Sequence, residues 1–451
     1  MGNSDVEQGL VLDPDRLFPA EPTTRAIARD LYESVRSAPI ISPHGHVSPD
    51  LLQKNEPFTD AASLFIRDDH YVTRTLHSAG VTMEQLGTAT PREAWLLFCS
   101  HWNRYAGTAS GYWLADEFAT LFGIDEQPSA TNADRLFDQI GAQLPTMLPR
   151  DLFDRFQIEV LATTDDPLDD LAAHAFEKKI RPTFRPDAYL DPATPDFAER
   201  LERLGATTYD GYIDALAERR RYFIEHGAVS ADHGVVEPYT VRLGESDAAA
   251  LFNKAGSLSD EEQRAFRGHM LVQMARMSVA DGLVMTLHAG VRRNHHTASY
   301  RQFGADRGHD IPVSTEFTDN LRPLLELYGT APGFQLILFS VDEAVYSREI
   351  APLAGFYPSI FIGAPWWFLD APDAAQRIRA ATTETAGFYR GSGFIDDTRA
   401  FLSIPARHDM ARRSDSAYLA RLVVEGRIAL SAAQIIAVDL VDSIPRTAFK
   451  L

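Results

Sequence analysis

Short apolar runs that end in polar or glycine-bearing turns recur along the chain, at 39–41, 158–164, 180–185, 228–233, 283–288, 334–340, 360–364 and 393–397. They predict about eight buried strands, and helical patterns such as 260–280 and 371–388 fall between them. Strand–helix alternation implies a parallel sheet, and eight such units suggest a closed (β/α)8 barrel of the TIM type. On periodicity alone, a doubly wound sheet fits as well.

One connection is far longer than the others. About 110 residues separate the first two runs, and an excursion of that length must carry its own structure. It reads as helical over 61–79, 91–105, 111–122 and 132–140. The expected organisation is an N-terminal segment with the first strand (1–64), a helical insertion (65–156), the rest of a distorted barrel (157–409) and a C-terminal helical cover (410–451).

Composition narrows the function. The chain has 451 residues, 43 basic and 63 acidic side chains and a net charge of −20. That balance argues against nucleic acid or an anionic membrane as the main partner, since both need a basic footprint. An anionic substrate would meet a repulsive overall field, so its site needs local positive charge. With Cys99 as the one cysteine, an intrachain disulfide and a multi-cysteine zinc site are excluded, which fits a reducing, cytoplasmic setting. The first fifteen residues are polar and acidic, unlike a signal peptide or anchor, and no apolar run is long enough to span a membrane.

The candidate chemistry sits at the ends of the predicted strands. His44 and His46 follow the first run, with Gly45 between them. Residues two apart in extended chain point to the same side, so two imidazoles there can grip one divalent cation. Asp396 and Asp397 follow the last run. In a closed barrel the first and eighth strands are neighbours, so a carboxylate here could complete a two-histidine, one-carboxylate site suited to zinc or a related metal. Helix capping is the structural alternative for both aspartates. His288 closes the fifth run, as a core residue or a ligand, and basic residues including Arg293 follow it. Arg185 lies between Phe184 and Pro186, where it could hold a carboxylate bidentately or pair with Asp187. Trp366 and Trp367 follow the seventh run and read as core. Walker A, G-x-S-x-G and dinucleotide-binding glycine patterns are absent from the sequence.

In this order, the motifs resemble the uronate isomerase (glucuronate isomerase) family of the amidohydrolase superfamily. The resemblance runs from about Arg16 to the C-terminus. It is carried by His44-Gly45-His46, Asp69-His70-Tyr71 with Arg74, Thr163-Thr164-Asp165-Asp166-Pro167, Pro182-Thr183-Phe184-Arg185-Pro186-Asp187, Ser230-Ala231-Asp232-His233-Gly234, Leu287-His288-Ala289-Gly290 through Arg293-Asn294, Trp366-Trp367-Phe368, and Asp397-Thr398-Arg399 with Arg407-His408. The resemblance implies a distorted (β/α)8 barrel with one divalent metal ion, often zinc, on His44, His46 and Asp397. Asp397 would also carry the proton, with Tyr71 and Arg399 as catalytic partners. His70, Arg185, His288, Arg293, Trp366 and Arg407 would contact the hexuronate, Arg185 through its carboxylate. His288 is left open as a further metal ligand, and Arg407 could position Asp397 instead. A homo-oligomer is implied too. The chain departs from the family pattern at Gly45, Val72, Thr73, His295, His296 and Ala406, none of them an implied ligand.

The implied reaction interconverts D-glucuronate with D-fructuronate and D-galacturonate with D-tagaturonate. The same ligands would also serve an amidohydrolase-type hydrolase. A barrel that binds sugar acids without turnover is the third reading.

Overall fold

The computed structural model describes residues 9–451 except 11, 68 and 176. The opening residues 1–8, part of the stretch read as unlike a leader or anchor, lie outside those described. Among the described residues there are nine strands: β1 (Ile40–Ser42), β2 (Ile158–Ala162), β3 (Ile180–Arg181), β4 (Ser230–Val235), β5 (Val284–Ala289), β6 (Val291–Arg292), β7 (Ile311–Pro312), β8 (Leu336–Ser340) and β9 (Ile360–Ile362). Seven form two parallel sheets, ordered β1-β2-β3 and β4-β5-β8-β9, while β6 and β7 make a small antiparallel ribbon. Every residue of β5 and β8 is buried. Helices cover the outer faces of such strands, so both strand faces are buried.

The order is that of a (β/α)8 barrel, but the hydrogen-bonded ladder does not close. Between the two sheets, Phe184 makes single bridges to Asp165 and Ala231. The third predicted strand, 180–185, shortens to two residues where Pro182 withdraws an N–H from the ladder. The eighth predicted strand, 393–397, is not a strand. Gly391 makes a single bridge to Ile362, and Gly393 and Asp397 then take left-handed φ values of +76° and +41°. Extended pairing cannot continue through such residues. The chain still returns beside the start of the barrel, where the N–H of His46 donates to the Thr398 carbonyl at 3.0 Å.

Between β1 and β2 the chain is helical, including His70–Ser78, Pro91–Ser100, Ala109–Phe122 and Ala133–Gln143. The patterns read at 61–79 and 91–105 each break in two. Ser63–Arg67 is a π-helical turn before His70–Ser78, and a 3-10 turn, Trp102–Tyr105, follows Pro91–Ser100. Phe65, Trp95, Phe98 and Phe118 pack together there in a core shared with the first strands. Helix Asp260–Asp281 begins at a Ser259–Glu262 capping box and ends at Gly282 with φ +86°. Helices Ile404–Val424 and Leu430–Val441 pack with Pro22–Val35 in a separate apolar cluster. Among the described residues no helix is long and apolar enough to cross a membrane.

Candidate active site

His44 and His46 extend from the C-terminal end of β1, where a barrel presents its reactive face. Thr164, just past β2, donates from its hydroxyl to the Gly45 carbonyl at 2.8 Å, which fixes the peptide between the two histidines. Asp397 arrives from the other side of the seam. Its Oδ1 lies 3.3 Å from His44 Nε2 and 3.0 Å from His46 Nε2. Burial opposes a charge on Asp397, but the imidazoles of His44 and His46 hold its carboxyl well below the usual carboxylate range. Burial also lowers the pKa of His46.

This convergence fits a cation. Both ring nitrogens of His44, Oδ1 of Asp397 and Nε2 of His288 are buried and make no hydrogen bond. An unsatisfied buried polar atom costs about 1–3 kcal/mol. Two imidazole nitrogens and a carboxylate oxygen within 4.8 Å of one another are a donor set for a divalent metal. Asp397 does not cap a helix: the next turn, Phe401–Ser403, is preceded by Ala400.

A second cluster shares His44. Asp232, inside β4, takes the Thr286 hydroxyl at 2.6 Å and His288 Nδ1 at 2.7 Å on Oδ1, while Arg185 Nη1 lies 2.9 Å from Oδ2. With Nδ1 held by the carboxylate, His288 presents a free Nε2 as acceptor or ligand. Its ring stacks on both His44 and Phe339, at centroid distances of 4.6 and 4.1 Å. Arg185 is tied a second time, from Nε to Asp187 Oδ2 at 2.9 Å, so the ion pair weighed from sequence is present and doubled. Burial disfavours the charge on Arg185, yet Asp232 and Asp187 raise its pKa.

The roof comes from the helical insertion. Asp69 caps helix His70–Ser78 by accepting from the N–H of Tyr71 at 2.8 Å, placing His70 and Tyr71 at the helix start. Burial raises the Tyr71 phenol, so it stays protonated, and lowers His70. On the rim, Arg399 pairs with Asp306 at 2.8 Å and Arg293 with Asp310 at 3.0 Å. Trp367 has φ +52°, and this turn sets both Trp366 and Trp367 against the cavity rather than on opposite sides. Arg407 is 2% exposed and stacks 3.6 Å over Trp113.

Most of these groups border one cavity of about 390 Å³, with Asp232, Thr286, Phe339, Asp187 and Trp113 supporting its wall from behind. It brings together every sequence-predicted site residue: His44, His46, His70, Tyr71, Arg185, His288, Arg293, Trp366, Asp397, Arg399 and Arg407. Sequence reasoning gave no role to Asp232, Thr164, Asp306 or Asp310. Asp232 lay within a motif block already noted, but in a strand buried on both faces nothing marks which neighbour turns inward.

The glucuronate isomerase family profile matches residues 22–444. The chain belongs to the glucuronate isomerase family. Among its relatives, a uronate isomerase of Corynebacterium efficiens is 50% identical, over 97% of this chain and 98% of that protein. One from Cutibacterium acnes is 48% identical, over 98% and 99%. The crystal structure of glucuronate isomerase from Caulobacter crescentus superposes with a TM-score of 0.96 at 45% identity, covering 98% of each chain. That of the Thermotoga maritima uronate isomerase gives 0.93 at 27% identity, covering 97% of this chain and 99% of that one. The fold of the family is therefore the fold of this chain, with the ladder interrupted at the two seams described.

Proposed function

We propose that this chain interconverts D-glucuronate with D-fructuronate and D-galacturonate with D-tagaturonate, with Asp397 moving the proton between C2 and C1. The observation that supports this most directly is the position of the Asp397 carboxylate, 3.3 and 3.0 Å from the imidazoles of His44 and His46 and on the cavity wall, where those imidazoles lower its pKa. A general base must be ionised and within reach of its proton.

His44, His46 and Asp397 would hold one divalent ion, zinc in this reading, with His288 Nε2 as a further candidate donor beside His44. When bound, the ion supplies Lewis-acid polarisation of a sugar oxygen. The protein's own residues carry the rest. Asp397 takes the C2 proton of the open-chain aldose, and the C2–H electron pair becomes the C1=C2 bond of a cis-enediol. As the carbonyl π bond opens, the O2 proton passes to O1 through the Tyr71 hydroxyl, which gives one proton and takes one; the C2 carbonyl then forms and C1 receives a proton from Asp397. Tyr71, kept protonated by burial, serves O1, and Arg399 faces the same developing charge.

Arg185, Arg293 and Arg399 supply the local positive charge that a protein of net charge −20 needs for an anionic substrate. Since Arg185 already holds two carboxylates, the substrate's would compete with Asp187, 28% exposed, rather than with Asp232, 0% exposed. His70, Trp366 and Arg407 complete the wall. The helical insertion, 65–156, acts as the roof and 410–451 as a cover. The chain works as a cytoplasmic homo-oligomer, which sedimentation would test. A hydrolase on the same ligands is not favoured, because relatives near half identity over nearly their full length are named isomerases.

The test is ketose formation from each sugar acid in deuterium oxide, followed by proton NMR on zinc-supplemented protein. Fructuronate or tagaturonate should appear, with solvent deuterium at C1. No ketose from either acid would sink the reading, and full product without deuterium would replace the enediol with a hydride shift.

A further inference from the structure

We infer that Asp370 is a positioning residue for this reaction: through Arg407 it holds the backbone that aims Asp397. This rests on the reading of Asp397 as the proton carrier. Asp397 has φ +41°, a region that a non-glycine residue keeps only where its surroundings fix it. The backbone is held on both sides of it. The Thr398 carbonyl accepts from the N–H of His46 at 3.0 Å, and the Asp396 carbonyl accepts from Arg407 Nη1 at 3.2 Å.

Arg407 can pin that carbonyl because its own place is determined. Its Nε donates to the Ser403 hydroxyl at 3.1 Å, its plane lies 3.6 Å from the Trp113 ring, and Nη1 donates to Asp370 Oδ2 at 2.8 Å. Asp370 is the carboxylate in ion-pair contact with this buried guanidinium, and is itself 4% exposed. It closes the turn carrying Trp366 and Trp367, its N–H donating to the Trp367 carbonyl at 3.1 Å. One ion pair thus ties the tryptophan wall to the strap that carries Asp397. Its effect belongs more in the geometry of Asp397 than in substrate affinity, because on the cavity wall Arg407 keeps Ser403 and Trp113, and Trp366 keeps its packing on His288.

The test compares Asp370→Asn and Asp370→Ala with the parent, as zinc and as cobalt(II) protein. Asp370→Ala should lose kcat by about 10–100-fold while KM stays within about twofold, and Asp370→Asn, which keeps an acceptor for Arg407, should recover part of the loss. The cobalt visible spectrum, which reports the Asp397 ligand geometry, should change in the same order. A folded Asp370→Ala with unchanged kcat and spectrum overturns the inference. If that variant does not fold, Asp370→Asn combined with Arg407→Lys decides it: losses that do not add support the shared role, and independent losses overturn it. Turnover that survives in Asp397→Asn would sink the base assignment alone, while the cobalt spectrum would still report whether Asp370 shapes the site.

Discussion

Two buried histidines, His44 at the cavity floor and His269 in helix Asp260–Asp281, are 1% and 2% exposed and satisfied in opposite ways. His269 Nε2 meets the Tyr209 hydroxyl at 2.7 Å and Nδ1 accepts from the N–H of Leu243 at 3.1 Å. His44 makes no hydrogen bond through either nitrogen. Burial lowers the His269 pKa to about 4, whereas at His44 burial is outweighed by Asp232 and Asp397 and the pKa is raised. The helix has built a neutral imidazole into a finished hydrogen-bond network. The cavity has gathered acidic groups around an imidazole and left its nitrogens for something else.

Breaking the cavity side has the largest expected effect. Asp397→Asn keeps the shape but removes the charge, the base and an anionic ligand together. Ketose formation should fall by at least about 10³-fold, within the range that general acid–base groups contribute. NMR of the glucuronate reaction checks it, and activity within tenfold of the parent would dismiss Asp397 as the base.

Removing the cation tests the same contrast through stability. A metal that binds only the folded chain adds about 2.7 kcal/mol at a free concentration 100 times its Kd. Chelation should therefore lower the melting temperature of the parent, and added zinc should restore it. Asp397→Asn should respond far less. An equal response in both proteins would place the bound ion elsewhere.

A smaller effect is expected at Asp232, which organises the donors without being the proton carrier. Asp232→Asn should cost about 10–100-fold in activity or metal affinity, as for groups that orient a ligand histidine. It loosens both His288 and Arg185, so KM should rise along with the fall in kcat. A loss confined to kcat would separate Arg185 from the substrate.

Legibility from sequence followed the same divide. His44 and His46 could be read because residues two apart in extended chain share a side. From its own residues Asp397 reads equally as ligand or cap, and the order of motifs alone favours the ligand, because φ +41° is not written in the apolar run before it. That run, with Phe394 and Ile395, looked like a strand, and two left-handed residues prevent it from being one. Most of the strand–helix order was legible because strands buried on both faces are short apolar runs. Asp232 and Asp370 were not, because their roles come from partners more than 30 residues away: Arg185 and His288 for one, Arg407 for the other.

The smallest predicted effect tests the finished network. The folded-state pKa of His269, about 4, lies below the ordinary value of 6.5. Between those values the unfolded chain binds a proton that the folded chain refuses, so the stability tied to His269 is complete above about pH 6.5 and is lost as pH falls toward 4. Lowering the pH from 7.5 to 5 should therefore cost about 1–2 kcal/mol at this site, read from urea midpoints. His269→Gln removes the titration, so the pH 7.5-to-5 difference should shrink by that amount, whatever stability the substitution itself costs. It should not vanish, because burial also lowers His174 to about 4. An unchanged pH difference in His269→Gln would mean that the helix tolerates a charged imidazole. Burial with satisfied nitrogens would then no longer separate a structural histidine from one that awaits a cation.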